Sequence, residues 1–147
     1  MILVDTPIWS LALRRRRVDL GAAERRHVRE WERLVREGLI ALVGPVRQEL
    51  LSGVREEEAW ERLQTALRPF VDVPIGTVDY ETAARFFNRC RSRGVTGSAI
   101  DLLICAVASR TGAPIYTTDS DFRRYAELLG LHLHHAARSQ HAATRKT

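Results

Sequence analysis

The chain has 147 residues, 45% hydrophobic and 28% charged, which is the make-up of a globular protein with a core and not of a disordered or fibrous one. Its net charge is +5 with a pI near 10, and 22 of its 23 basic residues are Arg; this suits a polyanionic partner and equally a solvated basic surface. The longest apolar run, residues 102–108, falls far short of the roughly 20 residues that span a bilayer. Met1-Ile2-Leu3-Val4-Asp5 lacks the basic head of a signal peptide, so the expected location is cytoplasmic, with no membrane partner. Cys90 and Cys105 fit no metal-ligand spacing and are expected as reduced thiols.

In chain order, residues 2–4 read as a short apolar strand, and Thr6 with Pro7 as the start of a helix carrying Ile8, Trp9, Ala12 and Leu13. Arg14 to Arg17 form a basic block. Residues 22–37 have helical apolar spacing at Val28, Trp31, Leu34 and Val35, and Gly38 stops that helix. A second apolar strand is expected at 39–43, a short helix at 45–51, and an amphipathic helix at 56–67 ended by Pro69. Residues 71–74 read as a weak third strand. A helix at 79–93 should turn Ala83, Phe86, Phe87 and Cys90 inward. Residues 98–111 are apolar nearly all round, hence a central helix. A fourth strand at 115–117, a helix at 120–129 and an edge strand at 131–134 follow, the last exposing its His132 and His134 face. Residues 1–135 are expected as a single domain and 136–147 as a basic, flexible tail. Strands alternating with helices indicate an α/β fold, a sandwich of helices around a mostly parallel sheet.

A few of the 18 acids stand apart from solvated helix faces. Asp5 ends the first strand, while Asp119 and Asp121 follow the fourth. Ligands of open parallel sheets bind beyond the carboxyl ends of the strands, so these acids share one edge. Glu49 lies on or beside the apolar stripe of its short helix. Asp101 sits one turn into the most apolar helix of the chain, where an ionised carboxylate is costly unless paired or metal-bound. Each has a plainer explanation: Asp5 or Asp119 as a helix cap, Asp101 within the capping box Ser98-Ala99-Ile100-Asp101, Glu49 paired with Arg47. Together they fit less well as caps. Converging carboxylates repel unless a hard divalent cation lies among them, so Mg²⁺ (or Mn²⁺) is expected, with phosphodiester hydrolysis as the chemistry. No G-x-x-x-x-G-K-[ST] or G-x-G-x-x-G run is present, and no second Asp follows Asp5 at the phosphatase spacing.

Val4-Asp5-Thr6 with Trp9, Val46-Arg47-Gln48-Glu49-Leu50, Ser98-Ala99-Ile100-Asp101-Leu102-Leu103-Ile104-Cys105-Ala106 and Thr117-Thr118-Asp119-Ser120-Asp121-Phe122 together resemble the PIN-domain family, and within it the VapC-type toxins of bacterial toxin–antitoxin pairs. The resemblance runs from Met1 to about His134. It implies a three-layer α/β/α sandwich whose four- to five-stranded sheet has the order 3-2-1-4-5, which puts Asp5 beside Asp119. It implies a Mg²⁺-dependent endoribonuclease acting on RNA, a cognate antitoxin and a homodimer. Asp5, Glu49, Asp101 and Asp119 match the family's acidic positions, with Asp121 as an assistant or substitute for Asp119. Asp5, Asp101 and Asp119 are the expected metal ligands, and Thr6 and Thr118 the expected donors behind them. Arg14 to Arg17 are candidates for phosphate contacts. Pro7 stands where the family often has Ser or another small residue. A DNA nuclease of the same fold and a non-catalytic basic nucleic-acid-binding module are the rival readings.

Overall fold

The structure is a computed structural model and describes residues 1–137. The expected tail at 136–147 therefore lies almost wholly outside the described residues. Strand β1 (Ile2–Val4) is buried along its whole length and forms the middle of a parallel sheet. It pairs with β2 (Ile40–Ala41) on one side and β3 (Ile115–Tyr116) on the other, in register Ile2 with Ile40 and Val4 with Tyr116. A strand flanked on both edges and covered on both faces has to be apolar throughout, which is why Ile2-Leu3-Val4 shows no alternation.

Among the described residues seven α-helices join and cover the strands: α1 (Thr6–Leu13), α2 (Ala22–Arg36), α3 (Gly44–Ser52), α4 (Glu57–Leu67), α5 (Thr77–Ser92), α6 (Ala99–Thr111) and α7 (Asp121–Leu129). They pack as two sets, α1 with α2 and α3, and α3 with α4; then α5, α6 and α7 with one another. The chain leaves β1 towards β2, then crosses back to β3, and right-handed crossovers taken in opposite directions put the two sets on opposite faces. Trp9, Ile8, Val46, Leu50 and Leu67 from the first set and Leu102 to Ala108 from α6 are buried in one continuous core with β1. Trp9 keeps its indole nitrogen satisfied by donating to the Val4 carbonyl at 3.0 Å.

The two outer strands are shorter than the sequence pattern suggests. Residues 71–74 contribute a single parallel bridge, Leu42 with Asp72, and residues 131–134 another, Ile115 with Leu133. Pro74 has no N–H to extend the first ladder, and Gly130, at φ +68°, turns the chain into the second only at its last residues. In space the order is nevertheless the 72 segment, β2, β1, β3, the 133 segment, which is 3-2-1-4-5. His134 does not face solvent as expected. Its Nε2 lies 2.7 Å from Oε1 of buried Glu30 of α2, an oxygen that also accepts from Arg33 Nη2 while Oε2 accepts from Arg33 Nε, because α2 extends over that edge of the sheet.

Candidate active site

Among the described residues three helices begin at the carboxyl edge of β1 and β3, and each carries an acid at or within a turn of its start. Asp5 is the residue on which α1 starts, Asp101 lies in the first turn of α6, and Asp121 opens α7. Helix N-termini offset part of the repulsion among anions placed there. Thr6, expected as the cap of α1, is instead its first residue; Asp5 holds the cap position and makes no capping hydrogen bond with its side chain.

Asp5 is only 4% exposed, and burial pushes its carboxyl up to about 6; the neighbouring charges of Asp101 and Glu49 push the same way, against hydrogen bonds from Thr117 and the backbone of Thr6. Thr117 Oγ1 donates to Asp5 Oδ2 at 2.8 Å. Asp101 is raised as well, first by burial and then by Asp119 and Glu49. Ser98 Oγ accepts the Asp101 amide at 3.0 Å, so Ser98 caps α6 and fixes Asp101 at the same time. The Tyr125 hydroxyl of α7 stands 3.5 Å from Asp101 Oδ2. Glu49 accepts from Thr6 Oγ1 at 2.7 Å, which ties α3 to α1 across the mouth of the site.

Asp101 is thus within electrostatic reach of Asp5, Glu49 and Asp119, and Asp5 within reach of Glu49. Asp121 is exposed, and its part is local: its amide donates to Asp119 Oδ1 at 3.0 Å. Asp119 is not the cap of α7, a place that Ser120 holds; it forms the turn just before the helix, and its charge reaches Asp101. The Thr118 expectation is corrected. Thr118 is exposed, and it is Thr117, one residue earlier on the buried side of the chain, that holds Asp5 and also accepts the Asp119 amide at 3.0 Å. Tyr125 carried no signal beyond its place on the apolar face of α7. The Arg14–Arg17 block is largely engaged elsewhere: Arg14 donates to the Gly53 carbonyl, Arg15 pairs with Glu24 and Arg17 with Glu32.

Among the described residues none of the five acids forms a salt bridge, although the chain carries 22 Arg. Nor are any three His, Cys, Asp or Glu side chains among the described residues drawn in tightly enough to be a finished ligand set. The donors are carboxylate oxygens alone, the chemistry a hard divalent cation takes.

A family model described as PIN domain matches residues 2–128. This chain belongs to the PIN-domain family. It is 30% identical over 133 residues to a VapC ribonuclease of Mycobacterium bovis and to ribonuclease VapC11 of Mycobacterium tuberculosis, covering 89% of this chain and 96% of each relative. The fold is shared with the FitAcB structure from Neisseria gonorrhoeae at a TM-score of 0.70 and 22% identity, covering 87% of this chain and 94% of that one. It is shared with VapBC2 from Rickettsia felis, bound to a DNA fragment from its promoter, at 0.71 and 20%, covering 91% and 98%. In this PIN domain the acids lie on the edge where the sheet order reverses on either side of β1, the usual place for a ligand in an open α/β sheet.

Proposed function

We propose that this PIN domain is a Mg²⁺-dependent endoribonuclease, the toxin of a toxin–antitoxin pair, with residues 1–135 as the nuclease unit. The observation that carries the reading is a set of neighbouring acids without basic partners among the described residues of an Arg-rich chain, one of them buried with its carboxyl raised to about 6. Structural acids at such positions recruit an Arg, as Asp79 does with Arg110 at 2.7 Å. The names of the mycobacterial relatives support RNA as the substrate, and the solved complexes of the same fold support a cognate antitoxin.

A divalent cation bound there supplies charge neutralisation and Lewis acidity towards a phosphodiester. Asp5, Asp101 and Asp119 are the side chains that would hold it. Thr117 keeps Asp5 oriented and Thr6 keeps Glu49 oriented, each through one hydroxyl donor. Glu49 orients water against the scissile phosphorus and accepts its proton. Asp121 fixes Asp119 through its amide and stands clear of the reacting atoms. Matched single-stranded RNA and DNA oligomers, incubated with Mg²⁺ and with EDTA, test the reading. RNA alone should be cut, and only with Mg²⁺. Cleavage of DNA in preference to RNA, or cleavage in EDTA, contradicts it.

A further inference from the structure

Next to the acids, on the far side of Thr117 and Asp119, the surface dips into a hollow of about 510 Å³ between α2, the start of α7 and the segment after Leu133. Its walls include Arg26, His27, Arg123 and His135. Asp119 is the one acid on its wall among the described residues, and Thr117 and Asp119 belong to both this hollow and the acid cluster. Arg26 and Arg123 are exposed, and among the described residues neither is paired with an acid. They contrast with Arg14, Arg15 and Arg17, which are spent on internal contacts.

His27 is fixed in place: its Nδ1 lies 2.7 Å from the Tyr116 hydroxyl. Burial and the nearby Arg26 hold the ring below its ordinary value, and burial holds the Tyr116 phenol above its own. A phenol that keeps its proton can donate to Nδ1, which leaves the neutral ring an N–H donor at Nε2. Two unpaired guanidiniums and an imidazole donor around a space of nucleotide size make an anion site. Carboxylates on one side and cations on the other separate two tasks along a strand: the acids would hold the cation that meets the phosphate that reacts, and the hollow takes one that does not.

We infer that this hollow is a phosphate subsite, in which Arg26, His27 and Arg123 hold the backbone phosphate of a nucleotide flanking the scissile one and so set the path of the RNA strand across the acids. The inference rests on the ribonuclease reading, and binding is measured apart from cleavage so that the two can fail separately. The probe is a labelled oligouridylate, its affinity followed by fluorescence anisotropy over a salt series in the Asp101→Asn background. Arg26→Ala with Arg123→Ala should weaken binding about tenfold and flatten the salt dependence by about 1.4 in log–log slope, two phosphate contacts' worth on a single strand. The charge-matched pair Arg85→Ala with Arg93→Ala, on and just after α5, should change neither. All four positions are exposed, so thermal unfolding should be unmoved in both variants. Unchanged affinity in the first pair, or an equal loss in both, overturns the subsite. Failure of the protein with native Asp101 to cut RNA in Mg²⁺, with the first pair still selectively weakened in binding, overturns the nuclease reading and leaves the phosphate site standing.

Discussion

At the scale of single residues, the fold is strained by its own site. Asp5 is ionised at neutral pH inside a core that disfavours the charge. Its carboxyl titrates near 6 when folded and near 3.8 when exposed, so the folded state binds the extra proton between those values and loses stability as pH rises through them. Without divalent ions, urea unfolding should report a fall on the order of 2–3 kcal/mol from this group between about pH 4 and pH 7. Asp5→Asn should remove most of that slope and be the more stable protein at pH 7, while losing cleavage. Equal or lower stability of the Asn variant at pH 7 would show that Asp5 is a structural acid. Thr117→Val should move the acid limb of the rate profile upward, because the lost hydroxyl had favoured the charged form of Asp5, and Thr117→Ser should restore it. Thr118→Val should leave the profile alone. Asp5 was legible in the sequence because it ends an apolar strand. The choice between Thr117 and Thr118 was not, since neighbouring residues at a strand end point to opposite sides and no pattern marks which side is the site.

At the scale of elements, α6 shows how one local rule can serve both folding and the site. Ser98-Ala99-Ile100-Asp101 was readable as a cap, and the Ser98 hydroxyl does accept the Asp101 amide, which fixes the first turn that carries the proposed site carboxylate. Ser98→Ala should therefore cost about 1 kcal/mol in thermal or urea unfolding and lower the cleavage rate as well. Ser98→Asp, which still caps, should recover the stability. The helices were legible from their apolar period. The edge strands were not, because the residues at 71–74 and 131–134 have strand composition while Pro74 and Gly130 confine each to one bridge. His134 was misread for a related reason: the alternation within 131–134 says which residues share a face, but not that Glu30 of α2 lies over that face.

At the scale of the whole molecule, the +5 charge is divided by use. Much of the Arg content ties elements together, as Arg47 does with Asp72 and the Leu67 and Phe70 carbonyls, and Arg110 with Asp79 and the Pro74 carbonyl. Sequence showed the excess and not its division, because ion pairing depends on which helices meet. The part left unpaired should make RNA binding fall steeply with salt, whereas the unfolding midpoint should shift little over the same range. The convergence of acids was legible only in outline. Strand ends placed Asp5 and Asp119 on one edge, but the packing of α3 and α6 against the sheet is what brings Glu49 and Asp101 to it.

The most direct test is the initial rate of cleavage of a single-stranded RNA against Mg²⁺ concentration, for the native chain and for Asp101→Asn. The rate should rise from nothing to saturation with Mg²⁺ in the native chain, and Asp101→Asn should lose at least about a hundredfold at every concentration. A rate indifferent to Mg²⁺, or an Asp101→Asn protein as active as the native one, would mean that the acids are structural and that this edge of the sheet is not where RNA is cut.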